Sequence, residues 1–173
     1  MGVAIDPPSQ NAAMIEKLSL PFPILSDPDR TSVIDPYGVA DPKDPRRIAR
    51  PAMVLIDPDG EERWRFVSRD FADRLPESEV LDRAGELGLA PVQAEAVALG
   101  PAEPGPKAMP FDWLMPYFRG ARFASLAMGL RHGGLDQSVK DDSKAYVAQM
   151  DRFMEVVKAL EEARADRSDR PGE

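Results

Sequence analysis

Arg50-Pro51-Ala52-Met53-Val54-Leu55-Ile56-Asp57-Pro58-Asp59-Gly60 is the stretch on which the fold turns. Ala52 to Ile56 is a continuous apolar run of strand length, the pattern of a strand buried on both faces. Asp57-Pro58-Asp59-Gly60 stops it with a turn. Proline presets one backbone angle, aspartate side chains bond nearby amides, and glycine accepts a positive φ. Arg63-Trp64-Arg65-Phe66-Val67 alternates polar and apolar residues and reads as the returning antiparallel strand. A β-hairpin is therefore predicted, with Pro51 at its entrance.

Upstream, Val3-Ala4-Ile5 reads as a short buried strand ending in Asp6-Pro7-Pro8. Ser9 is placed to N-cap a helix whose apolar face is Ala12, Ala13, Met14, Ile15 and Leu18. Phe22-Pro23-Ile24-Leu25 reads as an extended segment, stopped by Ser26-Asp27-Pro28-Asp29. Asp29 can then cap a short helix carrying Val33 and Ile34, ended by Pro36 and Gly38. Asp41 to Arg47 is a polar, proline-rich loop. Beyond the hairpin, Pro76-Glu77-Ser78 opens a helix with Val80, Leu81, Ala84 and Leu87, and Gly88 is its stop.

Residues 90–110 are rich in Pro, Ala and Gly with little periodicity and read as a linker. Two helices follow, from about Phe111 to Leu130 and from about Asp142 to Arg164, separated by His132-Gly133-Gly134. Tyr146, Met150, Phe153, Val157 and Leu160 are spaced four, three, four, three, which is a helix-packing seam. It is expected to bury against Leu114, Phe118 and Leu126 in an antiparallel hairpin, or against a second chain. The layout is an α/β domain over 1–89, the linker over 90–110, a helical extension over 111–165 and a flexible tail over 166–173.

Composition limits the functions open to the chain. Its 173 residues are 43% hydrophobic, enough to bury a core. A formal net charge of −8 gives no pull toward nucleic acid or anionic lipid. There is no cysteine, so disulfides, thiolate nucleophiles and Cys-ligated zinc are excluded. His132 is the only histidine, which excludes a multi-His metal site within one chain. The first residues lack the basic start and long apolar run of a signal peptide. Arg119 and Arg122 interrupt the most apolar region, Leu114 to Leu130, which argues against a membrane span. A cytoplasmic location is expected. Eighteen prolines, with Arg outnumbering Lys, suggest a GC-rich bacterial gene.

The order strand, helix, extended segment, short helix and hairpin is carried by four motifs. They are Val3-Ala4-Ile5-Asp6-Pro7-Pro8, Leu20-Pro21-Phe22-Pro23-Ile24-Leu25-Ser26-Asp27-Pro28-Asp29, Tyr37-Gly38-Val39 and Arg50 to Gly60. In that order the chain, over residues 1 to about 88, resembles the peroxiredoxins, in particular the alkyl hydroperoxide reductase/thiol-specific antioxidant group of redoxins. The resemblance implies a partial thioredoxin-like fold, with a central sheet flanked by helices and Val3 on a central strand. It also implies a peroxidatic cysteine upstream of that strand, in a Pro-x-x-x-Thr/Ser-x-x-Cys motif that these residues do not contain. Pro51 falls where many peroxiredoxins carry an active-site arginine and where thioredoxins carry a cis-proline. Arg50 precedes it.

On this resemblance the chain is the C-terminal portion of a thiol-dependent peroxide reductase with no catalytic residue of its own, because nothing here replaces the thiolate. Pro51 and Arg50 are the remnant of a substrate pocket. Pro51 is expected as a cis residue shaping that pocket, against a trans proline opening a strand. Arg50 faces the pocket or is simply solvated. No metal or cofactor is expected, since Asp57, Asp59 and Gly60 make only half of a calcium loop. His132 reads as a helix-end residue. Arg119, Arg122 and Arg131 read as partners of nearby acids. Trp113, Tyr117 and the run Gly120 to Ala124 read as helix packing. The alternative function is a non-enzymatic association module. In either case a homodimer, or a partner covering the open sheet edge or the helical extension, is expected. Without a neighbour beside Val3 the chain should be marginally stable alone.

Overall fold

The computed structural model describes residues 1–70, 73–89 and 99–168. The elements in chain order are β1 (Gly2–Ala4), α1 (Pro8–Leu18), β2 (Ile24–Ser26), β3 (Ala52–Ile56), β4 (Glu62–Val67), α2 (Glu77–Glu86), α3 (Leu114–His132) and α4 (Gln137–Ser168). A 3-10 turn, Phe111–Trp113, leads into α3. The chain divides into two compact units, Met1–Gly105 and Pro106–Glu173. The first is a mixed α/β unit consistent with part of a thioredoxin-like fold, and the second is the helical extension.

In the first unit β1 pairs parallel with β2, Val3 opposite Leu25. β3 pairs antiparallel with β4, from Ala52 opposite Val67 to Ile56 opposite Glu62, with an irregularity between Leu55 and Ile56. The central sheet expected from the resemblance is therefore two separate two-stranded sheets. Among the described residues no strand pairs with the second edge of β1 or of β3.

The same feature corrects the expectation that β3 is buried on both faces. None of its residues is buried, and Met53 and Ile56 are exposed, because a two-stranded ribbon covers little of its own surface. The core of this unit is small: Ala12, Ile15, Ile34 and Val39. α2 buries none of its residues, so its apolar face is not part of that core.

The turn at Asp57 forms as predicted. Gly60 has φ +85°, and Asp57 Oδ1 accepts the amides of Asp59 and Glu61. Its Oδ2 accepts from Arg63 Nε at 2.6 Å, so this carboxylate is spent on the turn. α1 begins two residues earlier than expected, with Pro7 rather than Ser9 at the N-cap. Pro8 occupies its first turn and Ser9 makes no capping bond, because proline's fixed φ and missing N–H suit that position. Of its expected apolar face Met14 is exposed, while Asn11 is buried and donates to Asp6 O and Ser26 Oγ. Part of the expected linker docks on this helix. Glu103 N donates to Ser9 O, and a Cβ at Gly105 would meet Gln10 Oε1 at 2.8 Å. Residues 90–98 of that linker lie outside the described residues.

The second unit is an antiparallel helical hairpin. Met150 and Val157 are buried, and the Phe118 and Phe153 rings meet at 5.2 Å. Leu126, expected in the seam, is exposed, and Ser125 takes the contact position instead. Ser143 Oγ donates to Ser125 O at 2.8 Å and Ser125 Oγ donates to Ser143 O at 3.3 Å, so the backbones approach closely. Arg122 pairs with Asp151 at 2.6 Å, and the Arg164 guanidinium lies 4.2 Å from the Phe111 ring centroid. α4 continues to Ser168, beyond the expected end near Arg164 and into the expected tail. The rest of that tail, 169–173, lies outside the described residues. Among the described residues no helix is long and apolar enough to cross a membrane.

The crossing makes a signed prediction. A Cβ at Gly129 would sit 2.2 Å from Ser143 Oγ, whereas a Cβ at Gly85 in α2 meets nothing within 4 Å. Thermal unfolding should show Gly129→Ala destabilised by about 1–3 kcal/mol through overpacking. The same substitution at Gly85 should be stabilising by roughly 0.5–1 kcal/mol. Equal effects at the two positions would contradict the close approach.

Candidate functional site

The candidate site is built from Arg50, Pro51 and Ser68, and its position is set from Asp27. Asp27 follows β2 and is buried. Its Oδ1 accepts the Ser32 amide at 3.1 Å, and its Oδ2 accepts those of Val33 and Ile34 at 2.9 and 2.8 Å. Residues 28–38 form a series of turns rather than the short helix expected there, and the Asp27 carboxylate satisfies three of their amides. Asp29, the expected cap, bonds only the amide and hydroxyl of Thr31. Beyond these turns Val39 N donates to Ile34 O, and Val39 O in turn accepts the Arg50 amide at 2.8 Å. That bond fixes where β3 starts. Residues 41–48 loop out between an Ala40–Ala49 bridge. In this loop Arg46 bonds Asp44 and draws its carboxyl down to about 2.

Pro51 is half-buried, and among the described residues every peptide bond is trans, which corrects the expected cis-proline. It opens β3 as a trans residue. A strand entrance suits it, because only the last, reciprocal bond of the ladder, to Ser68 O, is forgone there. Its carbonyl accepts the Ser68 amide at 2.9 Å, so Ser68, one residue past β4, lies directly across from it. Ser68 is fully buried, and its Oγ has no hydrogen-bond partner among the described residues. Arg50 Nε is also buried without one. Two polar donors therefore flank Pro51 with unused capacity, a costly arrangement that marks the place as other than ordinary core.

The arrangement offers buried hydrogen-bond donors. It cannot cleave a peroxide bond, which needs a thiolate and a leaving oxygen stabilised by donors, and the chain has no cysteine. Ser68 was not among the residues singled out from the sequence. Plain counting back from the Asp57–Gly60 turn would set Phe66 opposite Pro51; the irregularity between Leu55 and Ile56 shifts the register and brings Ser68 there instead. His132 lies at the C-terminal end of α3 in the other unit, where its carbonyl accepts the Leu135 and Asp136 amides.

The AhpC/TSA family model matches residues 1–65. Those residues form a peroxiredoxin-like redoxin segment of the thioredoxin-like superfamily. The redoxin match stops inside β4, so it takes in Arg50 and Pro51 but not Ser68. No curated protein matches the chain.

The redoxin segment has a testable acid limb. Burial alone would raise the Asp27 carboxyl, but the amides of Ile34, Ser32 and Val33, with Arg30 nearby, outweigh it and hold the group below the ordinary 3.8. A depressed carboxyl contributes stability above its unfolded value and loses it as pH falls through the folded value. Denaturant titrations of wild type and Asp27→Asn should therefore differ most at neutral pH and converge as pH falls below about 4. A difference that stays constant down to about pH 2 would remove the charge from this account.

Proposed function

We propose that the chain is the C-terminal portion of a peroxiredoxin-like antioxidant redoxin. The parent activity is thiol-dependent peroxide reduction, and the peroxidatic cysteine belongs to polypeptide outside these residues. The observation that carries this reading is the AhpC/TSA match over a segment with no cysteine of its own. Two sheets, each with an unpaired edge, support it. In the complete protein Arg50 and Pro51 border the substrate pocket, and the unused Ser68 hydroxyl lies beside them. The same reading places the protein among cytoplasmic bacterial oxidoreductases.

A second reading is favoured by the hairpin, where Trp113, Tyr117, Phe123, Met128 and Leu130 are all exposed. On that reading the redoxin segment is a scaffold, and association is the function of the chain.

Purified protein should show no sustained, thiol-dependent consumption of hydrogen or organic peroxides. Turnover that survives repurification contradicts the assignment of the chemistry to an absent thiolate. DNA upstream of Met1 separates the two readings. An in-frame stretch encoding a strand and a Cys-bearing helix supports the redoxin parent, and a fusion restoring that stretch should melt at a clearly higher temperature. A stop codon immediately upstream supports the association module.

A further inference from the structure

α3 carries two packing seams, and only one is used. The used seam, which includes Phe118 and Ser125, faces α4. The other is Trp113, Tyr117, Gly120, Ala124, Ala127 and Arg131, spaced four, three, four, three, four, and every one of these residues is exposed. That spacing is the signature of a helix packed lengthwise against another helix. The glycines differ between the seams in the same sense. Gly129 is required within the chain, because a Cβ there would strike Ser143. A Cβ at Gly120 would meet nothing within 4 Å, so no contact among the described residues accounts for a glycine inside a helix, where it is unfavourable.

We propose that this second seam is a self-association surface, on which two copies pack α3 against α3, antiparallel, across a two-fold axis level with position 122. The occupant is read from the symmetry of the seam. About that level Trp113 of one copy meets Arg131 of the other, Tyr117 meets Ala127, and Gly120 meets Ala124. Each large residue is opposed by a small one or by a cation. The small residues sit at the centre, where the backbones approach most closely, and an indole over a guanidinium closes both ends. An open apolar hollow of about 350 Å³, lined by Met109, Trp113, Pro116 and Tyr117, lies where Met128 of the second copy would arrive.

Charge and area agree with this occupant. α3 carries no acidic residue, and Arg122 is already paired with Asp151, so the central stretch of the seam brings no carboxylates together. The chain's net charge of −8 disfavours an anionic bilayer as the alternative partner. Trp113, Tyr117 and Met128, at 64%, 50% and 52% exposure, are the large apolar side chains on or beside this seam, and a second copy would bury each of them twice over, once per protomer. The inference rests on the hairpin alone and stands or falls separately from the redoxin parentage.

Sedimentation velocity on the full chain at about 50 µM should show a dimer, and Ala124→Arg should weaken it by about tenfold or more with unchanged helical circular dichroism. Because the chain has no cysteine, orientation can be read without background. An oxidised equimolar mixture of Gly120→Cys and Ala124→Cys chains should give mainly the mixed disulfide dimer. That second experiment decides the matter even if Ala124→Arg misfolds. A monomer at about 50 µM overturns the proposal, whether or not the chain then binds anionic vesicles. A dimer that Ala124→Arg leaves intact, or a mixture giving each homodimer as readily as the mixed one, also overturns it.

Discussion

The carboxylate of Asp27 is the contact from which the first unit is built. Its own amide bonds Ala4 O, which ties it to β1, and its oxygens collect the amides of Ser32, Val33 and Ile34. Ile34, almost fully buried, then receives Val39, and Val39 receives Arg50. One buried acid thus links the parallel pair to the entrance of the antiparallel pair through a short series of backbone bonds. In a unit whose buried apolar core, among the described residues, is Ala12, Ile15, Ile34 and Val39, such directional bonds carry more of the structural definition than packing does.

The same economy explains why the site is present without its chemistry. Arg50, Pro51 and Ser68 are placed by backbone hydrogen bonds, which need no cysteine and no completed sheet. The reaction requires a nucleophile supplied from elsewhere. Around Pro51 the structure therefore keeps buried donors and no thiolate. The helical hairpin is independent of this, with its own buried residues, its own ion pair and a close crossing at Gly129.

The legible parts of the fold were those with a local cause. The Asp57–Gly60 turn could be read because proline, aspartate and glycine each act on the backbone beside them. The Met150–Val157 seam could be read because helix periodicity is intrinsic. The illegible parts depend on what lies across space. Ser9 looked like a cap, but Pro8 already set the helix start. Asp29 read as the cap, but the carboxylate that collects the amides is Asp27, which is selected by its burial beneath the turns. The apolar run of β3 implied two covered faces, yet apolar composition does not supply the covering strand. Arg50 and Pro51 were found through motif order, whereas Ser68 emerged only once the register of β3 and β4 was known.

The central claim is that the first unit is a redoxin sheet lacking a neighbour along β1 and β3, and amide hydrogen exchange tests it most directly. Ser68 N bonds Pro51 O, so alternation along the antiparallel ladder turns the Met53 and Leu55 amides toward β4 and the Ala52 and Val54 amides toward the open edge. Gly2 N bonds Pro23 O, which turns the Val3 amide away from β2 in the same way. The account predicts that Val3, Ala52 and Val54 exchange rapidly while Met53, Leu55 and the Asp27-bound Ile34 amide are protected. Protection of Val3, Ala52 and Val54 equal to that of Met53 and Leu55 would show both edges covered and would contradict the incomplete sheet.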